Sequence, residues 1–184
     1  MGLTYFKRYR MELDLTEPLF TAPPLPPDYE MVSWSDDLSR EHAQAKYQSF
    51  HCELDANVFP CLGRRDGCVR LMREIARRTT FVPEATWLLR HRPPGERPVA
   101  VGTVQGLRIE GWGALQNLGV TAPHRGHGLG TVLMAYAANG FRRAGLSKMH
   151  LEVTTDNTAA VRLYRRMGFR QARTVFKAAD VSHA

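Results

Sequence analysis

The sequence predicts a mixed α/β fold in which a central, mostly antiparallel sheet is flanked by helices. Between residues 86 and 120, three short apolar runs are separated by turn residues, which is the pattern of an antiparallel meander. Apolar residues recur at i, i+3 and i+4 over 129–143, the spacing of an amphipathic helix. The chain has 184 residues, 43% of them hydrophobic, so a single domain can bury a sizeable core.

Residues 1–28 are expected to form an arm and a connector outside the main domain at 29–184. The arm alternates apolar and charged side chains with a period of two, which is typical of a half-buried strand. Its apolar members are Tyr9, Met11, Leu13 and Leu15. Five prolines between positions 18 and 27 predict an extended connector, because proline fixes φ and lacks an N–H group. We expect the strand to pair with a sheet edge of its own chain or of a second copy, and we favour a homodimer.

The main domain is expected to begin with a strand and two helices. Residues 29–34 form the strand, and helical spacing covers 38–50 and returns at 68–78. The intervening segment 51–66 contains Pro60 and has no steady period, so we interpret it as a loop.

The second half of the chain is expected to contain five strands and two helices. The strands are 86–90, 99–109, 115–120, 148–154 and 169–178, and the helices are 129–143 and 157–167. Gly168 follows the last helix, where glycine commonly ends a helix in the left-handed conformation.

Composition excludes several classes of protein. The longest apolar run, 132–138, is far shorter than the roughly 20 residues that cross a bilayer, so no membrane partner is expected. Three cysteines without C-x-x-C spacing predict a cytoplasmic protein without a metal site. A net charge of +7 favours an anionic partner. The chain carries no nucleic-acid-binding motif, so we do not expect nucleic acid to be that partner.

The most informative segment is a glycine-rich turn between the third strand of the meander and the next helix. Gly126, Gly128 and Gly130 lack Cβ atoms, so successive backbone N–H groups can point outward. Together with the positive end of the helix dipole they predict an anion site, to which Arg125 and His127 can add donors. The turn lacks the lysine of a Walker loop, and its G-x-G-x-G spacing differs from the dinucleotide-binding G-x-G-x-x-G.

Two motifs in this sequence resemble those of the GNAT (GCN5-related) N-acetyltransferase superfamily. Arg125-Gly-His-Gly-Leu-Gly130 matches the family's pyrophosphate loop, Arg/Gln-x-x-Gly-x-Gly/Ala. Residues 151–169 fit a second pattern, L-x-V-x-x-x-N-x-x-A-x-x-L-Y-x-x-x-G-F. The two motifs occur in order with one helix between them, and the resemblance covers roughly residues 29–178.

The resemblance implies acetyl-CoA-dependent transfer of an acetyl group to a primary amine by direct attack. In that fold the twisted sheet splays between the strands at 115–120 and 148–154, which opens the cofactor cleft. Tyr164 is implied as the donor of a proton to the departing thiolate. The residues implied to bind acetyl-CoA are Leu118, Gly119, Val120, Arg125, Gly126, His127, Gly128, Leu129, Gly130, Thr131 and Asn157.

The general base and the acceptor stay open. The candidates for the base are Glu53, Asp55, Glu110, Glu152 and a chain of water molecules. The segment 51–62 is implied as a wall of the acceptor pocket, where its carboxylates suit a cationic amine and Phe59 suits an apolar slot. We expect a small-molecule or peptide amine as acceptor. The alternative function is a non-catalytic acyl-CoA-binding module.

Overall fold

The computed structural model describes residues 2–180, and seven strands within them form one sheet. The strands are β1 Leu3–Asp14, β2 Tyr29–Ser33, β3 Trp87–His91, β4 Val99–Ile109, β5 Trp112–Val120, β6 Lys148–Thr154 and β7 Arg170–Asp180. Their order in the sheet is β2-β3-β4-β5-β6-β1-β7. Every neighbouring pair is antiparallel except β5 and β6, which are parallel. The predicted mixed, mostly antiparallel sheet is confirmed.

Helices cover both faces of this sheet. They are α1 Ser39–Phe50, α2 Leu54–Val58, α3 Arg65–Arg77, α4 Leu129–Arg143 and α5 Thr158–Arg166. Successive side chains of a strand point to opposite faces. Leu115 of β5 accordingly packs in the core with Phe141 of α4, whereas Ala114 packs in a second core with Met72 of α3. The sheet therefore lies between two apolar layers, and no helix in residues 2–180 is long and apolar enough to cross a membrane.

The segment 51–66, which the sequence predicts to be a loop, is partly helical. It contains α2 and a 3₁₀ turn at Pro60–Gly63. Leu54 and Val58 are four residues apart, and Val58 is almost fully buried. A helix of five residues is too short for its periodicity to show in a sequence, which is why the prediction was wrong.

The third strand of the meander begins at Trp112, three residues before its predicted start at 115. Glu110 and Gly111 both have positive φ, at 51° and 79°. Ile109 pairs with Trp112, so Glu110 and Gly111 form the whole loop of the hairpin. Two-residue hairpin turns need positive φ at their central positions. The strand therefore resumes at once, where the sequence predicted a longer turn.

The N-terminal strand β1 lies inside the sheet. It pairs with β6 over Arg8–Asp14 and with β7 over Leu3–Glu12. The pairing that the sequence left open, with its own chain or with a second copy, is made within the chain. The proline-rich connector that follows is neither helix nor strand over residues 18–26.

Candidate functional site

The sheet opens between β5 and β6. These parallel strands pair only at Gly113 with Met149 and at Ala114 with His150, within the part of the chain that the structure describes. The rest of β5 therefore turns unpaired backbone N–H and C=O groups towards the gap. The gap widens into a cleft of about 1040 Å³. The splay predicted between these strands is confirmed.

A bulge in β5 marks the entrance to this gap. The register of β5 against β4 shifts by one residue there, and Asn117 has a φ of 47°. Lys46 of α1 lies beneath the bulge, fully buried, and its Nζ donates to Asn117 Oδ1 at 2.8 Å and to Gln105 Oε1. Burial lowers the pKa of Lys46 to about 7, because the interior disfavours its charged form. The hydrogen bond from the Lys46 amine thus helps to fix the side chain of the bulged residue Asn117.

The glycine-rich turn lines the cleft next to the start of α4. Gly126 and Gly128 have φ values of 83° and 74°, a region that L side chains rarely adopt. Gly128 is the N-cap of α4, and its carbonyl accepts from the N–H of Thr131 at 3.1 Å, whereas the N–H groups of Leu129 and Gly130 have no acceptor within the helix. Those N–H groups and the helix dipole favour an anion at this point, as the sequence predicts.

Arg125 joins the glycine-rich turn to β5 and α1 through hydrogen bonds. Its guanidinium donates to the carbonyls of Val120 at 2.9 Å and Ser49 at 3.0 Å and to Glu53 Oε1 at 2.6 Å. The predicted side-chain donor is thus engaged with protein atoms, because the guanidinium points back towards β5 and α1. His127 is exposed, and it is not among the described residues that line the cleft.

The opposite side of the cleft is the start of α5. Asn157 Oδ1 accepts a hydrogen bond from the N–H of Ala160 at 3.3 Å and so caps the helix. Tyr164 follows two turns later, with its ring 5.9 Å from that of Phe169. Burial, with a contribution from the charge of Asp55, raises the pKa of Tyr164 to about 12. Its phenol therefore keeps its proton throughout the neutral range.

The cleft brings together all the predicted site residues except His127. Those that line it are Leu118, Gly119, Val120, Arg125, Gly126, Gly128, Leu129, Gly130, Thr131, Asn157 and Tyr164.

Three of the four carboxylates that the sequence offers as candidates for the general base also line the cleft. Glu53 is paired with Arg125, and Glu152 Oε2 lies 3.0 Å from Arg8 Nη1. Asp55 is half-buried on α2, and burial raises its pKa. Glu110 lies in the β4–β5 turn and is not among the described lining residues.

The sequence of this chain matches a known protein family. The model of the acetyltransferase (GNAT) family matches residues 25–169, which is most of the chain. The chain belongs to the GNAT family.

The curated relatives of this GNAT chain match it over parts of their length. Streptothricin acetyltransferase from Streptomyces lavendulae is 46% identical over 55 residues, which is 30% of this chain and 29% of that protein. N-alpha-acetyltransferase 30 from Saccharomyces cerevisiae is 26% identical over 102 residues, 52% of this chain and 57% of that protein. The chain spans less than two thirds of the length of either.

Solved GNAT structures share the fold at low identity. A GCN5-related N-acetyltransferase from Sphaerobacter thermophilus matches with a TM-score of 0.68 and 22% identity, over 97% of this chain and 53% of that one. An aminoglycoside N-acetyltransferase in complex with CoA matches with a TM-score of 0.58 and 16% identity, over 82% of this chain and 95% of that one. These likenesses establish the fold.

The GNAT chain has room and donors for coenzyme A at the predicted place. A Cβ built on Gly130 meets nothing closer than Leu118 Cδ2 at 3.9 Å, so the start of α4 is open towards the cleft. The unpaired edge of β5 supplies hydrogen-bonding backbone of the kind that amide groups of a pantetheine arm require. The residues present therefore fit acetyl-CoA.

Sequence patterns did not predict several residues in or beneath the cleft that come from outside the two motifs. Arg8 of β1 lines the cleft, donates to Glu152, and lies over the Phe59 ring at 4.8 Å. Pro23 of the connector also lines the cleft, next to Gly128. The alternation around Arg8 gave a signal for a strand, but nothing in the pattern placed that strand beside β6. Lys46 gave no signal, because a lysine on a helix normally faces solvent.

Proposed function

We propose that this protein is an N-acetyltransferase that moves an acetyl group from acetyl-CoA to a primary amine by direct attack. The observation that carries the proposal is the splay of β5 from β6 next to the open N-terminus of α4. A backbone edge and a helix start meet there in one cleft, with a protonated phenol opposite.

The binding roles follow from the donors that each segment offers. The N–H groups of residues 126–130 suit the diphosphate, because they lie at the positive end of α4 and that of Thr131 already donates to the Gly128 carbonyl. Backbone groups of Leu118 and Val120 suit the pantetheine arm, and an N–H of this strand can polarise the thioester carbonyl. Thr131 adds a hydroxyl at the helix start, and Asn157 borders the cleft from α5.

Tyr164 is the proposed catalytic acid. Acetyl-CoA supplies the thioester when it is bound, and its thiolate needs a proton on leaving. Tyr164 holds a proton on its phenolic oxygen at neutral pH, since burial raises its pKa to about 12. A positioned acid of this kind contributes roughly 10²–10⁴-fold to a rate.

The acceptor is proposed as a cationic amine, either a small molecule or a peptide. The names of the relatives include acetyltransferases of streptothricin and mycothiol and an N-alpha-acetyltransferase, so they do not select one acceptor. Asp55, which lines the cleft from the segment that the resemblance implies as the acceptor wall and is not paired with an arginine among the described residues, supports a cationic group there. A cytoplasmic location, a homodimer and the absence of a nucleic-acid partner stay predictions.

Calorimetry with coenzyme A and a thiol-release assay with acetyl-CoA test the proposal together. The assay panel contains spermidine, kanamycin, a peptide with a free N-terminus and a lysine-containing peptide with a blocked one. We expect micromolar to sub-millimolar CoA binding and turnover with at least one amine. No CoA binding by folded protein would overturn the proposal, whereas binding without turnover on any amine would favour the acyl-CoA-binding module.

A further inference from the structure

The three carboxylates of the cleft differ in their partners. Glu53 and Glu152 are each held by an arginine, at 2.6 Å and 3.0 Å. Asp55 lines the same cleft, and no other side chain in residues 2–180 donates a hydrogen bond to it or lies within ion-pair distance of it. Its carboxylate is therefore the acidic group of the cleft that is left free for a ligand.

The position of Asp55 places it beside the proposed chemistry. It lies in the first turn of α2, half-buried, in a cleft wall that also contains Tyr164 of α5. The charge of Asp55 also contributes, after burial, to the raised pKa of Tyr164. An acid and a base on the same cleft are what acyl transfer to an amine requires.

The surroundings of Asp55 favour a carboxylate that can take up a proton. The charged groups that interact with it are Arg8 from β1 and Glu53 from its own segment. Glu152 of β6 is the ion-pair partner of Arg8, and Lys177 of β7 lies over the Phe59 ring. Burial raises the pKa of Asp55 by more than the attraction of Arg8 lowers it. A raised pKa makes a carboxylate a stronger base near neutral pH.

The other ionisable candidates are excluded by position. Glu110 lies in the β4–β5 turn, outside the described cleft lining. Lys46 also has a pKa near neutrality, but it is fully buried beneath β5 and already donates to two amide oxygens.

We infer that Asp55 binds the ammonium group of the acceptor and accepts one of its protons, so that the neutral amine can attack. The inference rests on the proposed acetyltransferase function and adds the base that the sequence left open. The ammonium first gives one proton to the Asp55 carboxylate, which frees the nitrogen lone pair to form a bond to the acetyl carbon. As the carbon–sulfur bond then breaks, the Tyr164 hydroxyl gives its proton to the thiolate sulfur and takes up the second proton that the nitrogen loses. The products are a neutral amide, a free thiol, an unchanged Tyr164 and a protonated Asp55, so protons and charges balance. The ligand class is a primary amine that is cationic in solution.

Asp55→Asn is the variant that tests this inference, because it keeps the shape and removes the charge. With whichever panel amine gives turnover, we expect kcat to fall about 100-fold or more. We expect kcat of the wild type to fall at acid pH as Asp55 takes up a proton, and this fall should be absent in the variant. CoA affinity should stay within about twofold. Asp55→Glu keeps an ionisable group and should recover part of kcat together with the acid limb.

Glu110→Gln is the comparison variant, since it removes a carboxylate that the sequence had offered as base. Its kcat should stay within about twofold of the wild type. An Asp55→Asn protein that binds CoA and turns over within twofold of the wild type overturns the inference. A wild type that binds no CoA contradicts the proposed function itself, so the two failures are distinguishable.

A second measurement does not depend on turnover or on the stability of the variant during assay. In protein labelled with ¹³C at aspartate carboxyl groups, the Asp55 signal is the one absent from Asp55→Asn. We expect spermidine, kanamycin or a free-amine peptide to shift this signal in the CoA-bound wild type. No shift with any of these amines would contradict the inference.

Discussion

At the scale of single residues, the cleft depends on groups whose proton affinity is changed by burial. Tyr164 keeps its proton to a higher pH than a free phenol, and Lys46 loses its proton at a lower pH than a free amine. Both changes have one cause, because a low-dielectric interior disfavours the charged form of either group. Tyr164 lines the cleft, so its change bears on the proposed chemistry. Lys46 is fully buried beneath β5, so its change bears on the stability of the fold.

Replacing Tyr164 with phenylalanine separates binding from chemistry. The ring and its packing against Phe169 are kept while the proton donor is lost. We expect kcat to fall about 100-fold, with CoA affinity within twofold of the wild type. Stopped assays of thiol release and calorimetry measure the two quantities. Tyr136→Phe, a half-exposed tyrosine of α4, is the matched control, and equal kcat values for the two variants would remove the role of Tyr164.

Lys46 makes the stability of the fold depend on pH in a defined window. Its folded pKa is about 7 and its unfolded value is 10.5. Between these values the unfolded chain holds a proton that the folded chain has released, so this lysine makes stability rise with pH from about 7 towards 10. The cost of burying its charge is complete below pH 7.

Urea unfolding of Lys46→Met between pH 6 and pH 9 tests this sign. Loss of the lysine leaves the amide oxygens of Gln105 and Asn117 without their donor, at a cost of about 1–3 kcal/mol. The rise of unfolding free energy with pH should nevertheless be smaller than in the wild type. Lys7→Met removes an exposed lysine and should keep the wild-type slope. Parallel slopes for Lys46→Met and the wild type would contradict the assignment.

At the scale of elements, the binding end of the cleft is a strand, a turn and a helix start that occur consecutively in the chain. Because β5, the glycine turn and α4 are adjacent in sequence, their pattern could be predicted from local spacing. The residues of α2 could not, since a five-residue helix has no measurable period. Arg8 could not be placed either, because its position beside β6 depends on a pairing across more than 140 residues.

Gly130→Glu tests whether an anionic ligand approaches the start of α4. A Cβ at this position meets no protein atom closer than 3.9 Å, and glutamate is the better helix former by roughly 0.5 kcal/mol. Stability should therefore stay the same or rise, since a carboxylate in the first turn of a helix is favourable. CoA affinity should fall at least about tenfold, since the carboxylate repels the diphosphate and occupies the surface that it would contact. Calorimetry and thermal unfolding report the two quantities.

Gly145→Ala is the opposite control. Gly145 has a φ of 80° and is not among the described cleft residues, and a Cβ there meets nothing within 4 Å. This variant should lose about 1–2 kcal/mol of stability through backbone strain and keep its CoA affinity. If Gly130→Glu binds CoA as the wild type does, the anion site is not at the helix start.

At the scale of the whole molecule, the sequence predicted an arm at 1–28 and a domain at 29–184, and β1 lies between two strands of that domain. Within residues 2–180, β7 pairs with β1 alone, so β1 joins β7 to the rest of the sheet. Met11 of β1 is fully buried in the core that also contains Met149 and Leu151. We propose that the described chain unfolds as one unit, with β1 as an integral strand.

Met11→Ala tests this unity, because all three tryptophans, Trp34, Trp87 and Trp112, lie outside residues 1–28. If β1 is integral, truncating its buried methionine lowers the unfolding free energy reported by tryptophan fluorescence by about 2–5 kcal/mol. Leu3→Ala in the same strand removes a side chain that is 65% exposed and should change that free energy by less than about 0.5 kcal/mol. An independent arm would leave the tryptophan transition unmoved in both variants. A larger loss of unfolding free energy in Met11→Ala than in Leu3→Ala therefore shows that β1, which contains Arg8, unfolds together with the rest of the sheet.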